Sequence, residues 1–151
     1  MSFKIITISR EFGSGGRFIG EQIAQKCGIE FYDKKIIEHV AKELGISEQI
    51  VANQGEYAPA GSIFSYAFVG RDITGVSLSD QIFNIQQKLI KDIAQKEPCV
   101  IVGRCADYIL SGRDDVLNVF IEANTPEKAA RIKKLYQKSD DEVKKLLKDV
   151  D

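Results

Sequence analysis

The chain has 151 residues, of which 44% are hydrophobic and 28% charged, and its formal net charge is -1. This length suits one domain with a core of its own, and we treat residues 1–151 as a single domain. The charge lacks the basic excess of a nucleic-acid-binding protein, and no apolar run approaches a membrane span. We expect a cytoplasmic enzyme without nucleic-acid or membrane partners, and the oligomeric state stays open.

The first predicted element is a strand over the apolar residues 5–8, followed by a glycine-rich turn and a helix that Gly28 ends. Glycines let backbone N–H groups close around an anion, and the helix that follows adds unpaired N–H groups and the positive end of its dipole. The turn therefore predicts a phosphate site formed by Arg10, Gly13, Ser14, Gly15, Gly16 and Arg17.

The turn departs from the standard phosphate loop, G-x-x-x-x-G-K-[ST], in which lysine contacts phosphates and the hydroxyl contacts Mg²⁺. Two registers are open, with either Arg17 or Gly16 in the lysine position. The apolar face of the following helix favours the second register. It places Arg10 at the first glycine and Arg17 at the hydroxyl, so the cation of the loop must come from an arginine or from elsewhere.

The next segments read as a short strand over residues 29–32, then Asp33, then a helix that Gly45 closes. Residues 51–79 lack a clear period and suggest a loop, which would be either a flap or the nucleotide-acceptor region. The triplet at residues 70–72, Gly-Arg-Asp, lies in this segment without a strand before it, and we interpret it as a coincidence. Ser79 is predicted to cap a long helix that runs to Lys96.

The second half alternates strands and helices. Strands are predicted over residues 99–102 and 116–123, with Gly103 and Arg104 at the end of the first, and helices over 106–110 and from the N-cap Thr125. This order predicts an α/β fold with three layers, α/β/α, around a parallel sheet. A last helix begins near Ser139 and reaches the end of the sequence without a cap, so we expect the natural domain to continue beyond Asp151.

The single residues with reactive side chains suggest little chemistry. Cys27, Cys99 and Cys105 lie in apolar stretches, and we expect small core residues in a reducing compartment. His39 is expected to be a partly exposed helix residue. No cluster of cysteines, histidines and acids has metal-ligand spacing, so no metal ligand is assigned.

Three segments together resemble the cytidylate kinase-like branch of the nucleoside monophosphate kinases. They are Ile-Thr-Ile-Ser-Arg-Glu-Phe-Gly-Ser-Gly-Gly-Arg at the start, Phe-Tyr-Asp-Lys at residues 31–34, and Cys-Val-Ile-Val-Gly-Arg-Cys-Ala-Asp-Tyr-Ile at residues 99–109. The resemblance covers nearly the whole chain. It implies a P-loop NTPase-like core, ATP as phosphoryl donor with Mg²⁺, and a nucleoside monophosphate acceptor, CMP by analogy.

The resemblance also implies roles for particular residues. Arg104 matches the arginine that contacts the acceptor phosphate, although Cys105 stands where the family has aspartate. Asp33 matches the start of the monophosphate-binding segment, with an N-cap role as the alternative. Arg131 falls among the lid arginines, within lid-like helices over residues 125–151, with a solvated helix face as the alternative. Arg17, Arg104 and Arg131 are the candidate catalytic residues.

Two other functions stay open. The missing lysine and hydroxyl favour a non-catalytic nucleotide- or phosphate-binding module that has kept the fold. A dinucleotide-binding domain is the third candidate, because Gly13-x-Gly15 is followed by Asp33 at a predicted strand end, where a ribose-binding acid belongs. The retained arginines favour phosphoryl transfer over the module, because guanidinium groups supply charge and fork geometry. Against the dinucleotide alternative, Phe18 stands at the third glycine position, and four residues separate the predicted strand from the first glycine.

Overall fold

Four parallel strands form the sheet in the computed structural model, which describes residues 2–53 and 75–150. The strands are β1 (Ile5–Arg10), β2 (Glu30–Tyr32), β3 (Cys99–Val102) and β4 (Val116–Ile121). Their order across the sheet is β2-β3-β1-β4, and every neighbouring pair is parallel. The predicted parallel α/β fold is confirmed.

Helices connect the strands and cover the sheet. They are α1 (Gly16–Cys27), α2 (Lys34–Leu44), α3 (Glu48–Asn53), α4 (Leu78–Lys96), α5 (Ala106–Ile109), α6 (Thr125–Tyr136) and α7 (Asp140–Val150). Side chains alternate across β3, as a pleated strand requires. Ile101 packs in the core shared with α2, α4 and α5, whereas Val100 and Val102 pack with Ala24 of α1. The sheet is therefore the middle of the three predicted layers.

The helix α1 lies unusually close to the sheet at Gly20. A Cβ atom at Gly20 would be 2.9 Å from Cγ2 of Val102 and 3.0 Å from Cδ1 of Ile8. Glycine at this position lets the helix backbone approach β1 and β3. The close packing fixes the start of α1 relative to the ends of these two strands.

Some predicted boundaries were wrong by one or two residues. The N-cap of α4 is Ser77 rather than Ser79, and its hydroxyl accepts a hydrogen bond from the Asp80 N–H at 3.1 Å. The N-cap of α6 is Asn124 rather than Thr125, and its side chain accepts from the Glu127 N–H. Both true caps have extended backbone, and both residue types are good caps, so the pattern alone could not separate neighbouring candidates.

The predicted irregular segment is only partly described. Residues 51–53 belong to α3, and α4 begins at Leu78, so the prediction of a loop was wrong at both ends of the segment. Residues 54–74, with the Gly-Arg-Asp triplet, lie outside the described residues. Among the residues that are described, no helix is long and apolar enough to cross a membrane.

The cysteines divide into two environments. Cys99 is fully buried in β3, as predicted, but Cys27 and Cys105 are exposed, and their prediction as core residues was wrong. Cys27 is the last residue of α1, beyond the part of that helix that packs on the sheet. His39 is exposed on α2, as predicted, beside Glu43 one turn later.

Candidate active site at the carboxyl ends of the strands

The predicted site residues follow three neighbouring strands. The glycine-rich loop follows β1, Arg104 follows β3 through Gly103, and Asp33 follows β2. The Gly103 N–H donates to the Ile8 carbonyl at 2.9 Å, which holds the two central strand ends together. The strands β3 and β2 lie on one side of β1, and β4 lies on its other side, so the order of the strands changes direction at β1. A crevice outside the carboxyl ends at such a change of direction is where open α/β sheets bind ligands.

The loop after β1 has the backbone of an anion cradle. Gly13 and Gly15 have φ angles of +76° and +87°, a left-handed conformation that favours glycine. Gly15 is the N-cap of α1, whose first turn contains no acidic residue. Ser14 is only 4% exposed, and its Oγ has no hydrogen-bond partner within the part of the chain that the structure describes. A buried hydroxyl without a partner is costly, and a bound anion would satisfy it.

Helix α6 packs directly on this loop. Arg131 Nη1 donates to the Gly13 carbonyl at 2.8 Å, and its guanidinium lies so close to Gly15 that a Cβ atom there would be 2.9 Å from Cζ. Ile132, which is fully buried, packs against Gly13 in the same way. Arg131 thus contacts the glycine-rich loop, although the residue is exposed at the helix surface.

An ion pair also ties α6 to the loop. Lys128 Nζ is 3.2 Å from Glu11 Oε2, and the Lys128 side chain is only 6% exposed. Glu11 Oε2 also accepts from the Ala123 N–H at 3.4 Å. Sequence reasoning missed Lys128, although its spacing from Arg131 and Ile132 places the three residues on one helix face. A cation paired and buried in this way fixes the approach of α6 to the loop.

Arg17 and Asp33 form an ion pair. Arg17 Nε is 2.9 Å from Asp33 Oδ2, with side-chain exposures of 61% and 12%. Asp33 is the N-cap residue of α2, but its side chain makes no capping hydrogen bond. The carboxylate is thus committed to the guanidinium of Arg17 rather than to the helix. Arg17, predicted for the donor phosphates, and Asp33, predicted for the acceptor nucleotide, lie together where α1 begins and β2 ends.

Arg104 is held in an unusual turn. Gly103, Arg104 and Cys105 have consecutive φ angles of +66°, +58° and +55°. A left-handed conformation costs a residue other than glycine about 1–3 kcal/mol, and such strain concentrates at functional sites. Arg104 Nη1 lies 3.4 Å from the Val51 carbonyl and 3.4 Å from Oε1 of Gln86, which is buried. Gln86, on α4, is a second polar residue near the site that the sequence did not indicate.

Metal-ligand clusters, and cavities away from the glycine-rich loop, are the other features that could mark a site. Within residues 2–53 and 75–150, no group of three or more histidines, cysteines or acids could hold a metal ion. A cavity of about 610 Å³ lies between α2 and α4, lined by residues such as Tyr32, His39 and Lys88. None of the predicted site residues lines this cavity, so it is separate from the glycine-rich loop.

The architecture defines the fold class: a parallel α/β protein whose glycine-rich loop follows its first strand. A family model described as the cytidylate kinase-like family matches residues 5–151. The chain belongs to the cytidylate kinase-like family, which confirms the resemblance predicted from its motifs.

Two solved structures are similar to this chain. An uncharacterized protein from Eubacterium ventriosum ATCC 27560 is 26% identical with a TM-score of 0.66, and the match covers 95% of this chain and 68% of that one. A shikimate kinase from Acinetobacter baumannii in complex with shikimate is 13% identical with a TM-score of 0.51, covering 97% and 75%. The second match shows a shared fold alone. No curated protein matches the chain.

The strand order also argues against the dinucleotide-binding alternative. In that fold the first two strands of the chain are neighbours, in the order 3-2-1-4. Here β3 lies between β2 and β1. The carboxylate of Asp33, which would recognise a ribose, is paired with Arg17 instead.

Proposed function

We propose that this protein transfers the γ-phosphoryl group of ATP to a nucleoside monophosphate, with CMP as the acceptor by family resemblance. One observation carries the proposal: the glycine-rich loop and Arg104 follow adjacent parallel strands. Adjacent strands lie about 4.8 Å apart, so a donor phosphate on the loop and an acceptor phosphate near Arg104 would be close neighbours. Holding both phosphates in reach is most of what a phosphoryl-transfer enzyme must do.

The donor phosphates would bind to the N–H groups of residues 13–16 and to the Ser14 hydroxyl. Arg10 and Arg131 flank these residues, since Arg10 packs on Gly16 and Arg131 on Gly15. Arginines in these places would balance the charge on the transferring group. In this arrangement the hydrogen bond from Arg131 to the Gly13 carbonyl would position its guanidinium over the donor site.

The acceptor side would be formed by Arg104 with Asp33. Arg104 follows β3, and Asp33 follows β2 on the next strand. Because Asp33 is paired with Arg17, its carboxylate would orient that guanidinium between the two phosphate sites. The guanidinium of Arg17 would then act as a catalytic cation that contacts both the donor and the acceptor phosphate.

Magnesium is implied by the family, but the described residues do not fit a protein-held ion. Arg17 stands where the standard loop has its metal-binding hydroxyl, and no metal-ligand cluster occurs among the residues described. Mg²⁺ is commonly bound through substrate phosphates with few protein ligands. We assign no residue to it.

The alternative function is a nucleotide-binding module without transfer activity. The specific observation in its favour is the loop itself, which has Gly16 in the lysine position and Arg17 in the hydroxyl position. Such a module would bind ATP on the same loop. It would produce no CDP.

The test is an assay of purified protein with ATP, Mg²⁺ and one acceptor at a time: CMP, UMP or AMP. CDP and ADP are quantified together by chromatography. The proposal predicts equal amounts of CDP and ADP with CMP, and loss of both in Arg104→Ala. Arg113→Ala is the matched control, because Arg113 pairs with Asp115 next to the start of β1, at the opposite end of the strands from the glycine-rich loop. ATP binding without CDP would support the module, and binding of NADH in preference to ATP would contradict both.

A further inference from the structure

The side chain of Arg10 fills the space next to the Cα atom of Gly16. Arg10 is the last residue of β1, and Gly16 is the first of α1. A Cβ atom at Gly16 would lie 2.6 Å from Cβ, 2.8 Å from Cγ and 3.2 Å from Cδ of Arg10. Real Cβ atoms essentially never come within 3.0 Å of another heavy atom in this way. Any side chain at position 16 would therefore begin inside the volume that the stem of Arg10 fills.

The positions of the cationic residue and of the glycine are exchanged relative to the standard loop. That loop has glycine at the end of the strand and lysine at the start of the helix. Here the long cationic side chain is at the end of the strand, and the residue without a side chain is at the start of the helix. The steric contact explains why both positions change together: only one of them can carry a side chain.

We propose that Arg10 supplies the phosphate-binding charge of this loop, in place of the lysine of the standard loop, for the triphosphate group of a nucleotide. The inference rests on the proposed function, because it assigns a residue within the same donor site. Its ligand is a polyphosphate, and a guanidinium can bind two phosphate oxygens at once, where an ammonium acts as a point charge.

Two further observations bear on this assignment: the position of the Arg17 guanidinium and the buried hydroxyl of Ser14. Arg17 is 61% exposed, and its Nε is 2.9 Å from Asp33. Its position is thus set by the end of β2 and not by the loop. In the loop itself, Ser14 is buried, and its Oγ has no hydrogen-bond partner among the residues that the structure describes. That atom points independently to a ligand in this loop.

The first test measures binding of ATP, and separately of inorganic tripolyphosphate, by isothermal titration calorimetry. Arg10→Ala should weaken both ligands about ten- to hundredfold, the loss expected for a charge-assisted contact. Arg113→Ala, which removes the same group far from the loop, should stay within about twofold of the wild type. Arg10→Ala with wild-type affinity for both ligands would overturn the inference.

The same data separate this inference from the proposed function. Binding that depends on Arg10, without CDP formation, supports the inference and contradicts the kinase. CDP formation that is insensitive to Arg10→Ala supports the kinase and overturns the inference. A wild-type protein that binds neither ATP nor tripolyphosphate overturns both.

The second test places a lysine at position 16, where the standard loop has it. Gly16→Lys alone should lower the melting temperature, because its side chain meets Arg10. The double variant Arg10→Gly with Gly16→Lys recreates the standard arrangement and should recover melting temperature and tripolyphosphate affinity together. Full stability of Gly16→Lys, or a stable double variant that binds no better than Arg10→Ala, would overturn the inference.

Discussion

Replacement of Gly13 by alanine tests the packing between α6 and the glycine-rich loop. The new Cβ atom would lie 2.8 Å from Cδ1 of Ile132 and 3.3 Å from the Lys128 carbonyl. Ile132 is fully buried and the carbonyl belongs to the backbone, so neither can move aside easily. A left-handed conformation costs alanine about 1–2 kcal/mol, and overpacking costs about 1–3 kcal/mol. We expect a loss of about 2–5 kcal/mol.

Two other glycines separate these contributions. Gly28 has a φ angle of +66°, but a Cβ atom added there would have no described atom within 4 Å, so Gly28→Ala should cost only the backbone strain. Gly112 has open space and no left-handed conformation, and Gly112→Ala should be neutral or stabilise by up to about 1 kcal/mol. The measurement is the free energy of unfolding from urea titrations of the three variants and the wild type.

The reasoning fails if Gly13→Ala costs no more than Gly28→Ala. A second comparison uses Ile132→Val, which removes Cδ1, the atom nearest to the new methyl group. In that background Gly13→Ala should cost less than in the wild type. Strict additivity of the two substitutions would show that the contact does not exist.

Three further predictions follow. Arg104→Lys should raise the KM for the acceptor at least about tenfold, through loss of the bidentate guanidinium, with little change for ATP in steady-state kinetics; an unchanged acceptor KM contradicts the role of Arg104. Burial, with the neighbouring Glu97 carboxylate, raises the pKa of the Cys99 thiol in the folded protein to about 12, from its ordinary value of 9.0. Because the unfolded chain loses this proton at lower pH than the folded protein, the free energy of unfolding should fall as the pH rises from 9.0 towards 12. Cys99→Ala should flatten that fall in melting temperature, whereas Cys27→Ala, at an exposed site, should not; equal slopes in all three proteins contradict the assignment. Asn124→Ala removes the N-cap of α6 and should cost about 0.5–2 kcal/mol in urea unfolding, and no change would show that the cap is dispensable.

The fold was predictable because its signals are local. The β-branched residues of β3 are buried on both faces, and the glycine-rich turn joins a strand to a helix in a recognisable order. Helix ends marked by Gly28 and Gly45 were predicted correctly, since both glycines adopt the left-handed conformation that a helix terminus needs. The order of the strands followed only from the structure, because connection patterns leave several arrangements open.

The site was predictable as a list of residues but not as a set of contacts. The helix register placed Gly16 in the lysine position, yet only the structure shows that the stem of Arg10 fills the space beside it. The ion pair of Arg17 with Asp33 and the contact of Arg131 with the loop join residues far apart in sequence. Tertiary contacts of this kind leave no periodic signal. The roles of these residues in phosphate binding stay predictions.

A crystal structure of the protein with ATP and CMP, or with a cytidine–adenosine polyphosphate that joins them, tests the central claim most directly. The account predicts the donor phosphates on the N–H groups of residues 13–16 beside Arg10, and the acceptor phosphate beside Arg104. Nucleotide bound in the cavity between α2 and α4, with the glycine-rich loop empty, would contradict it.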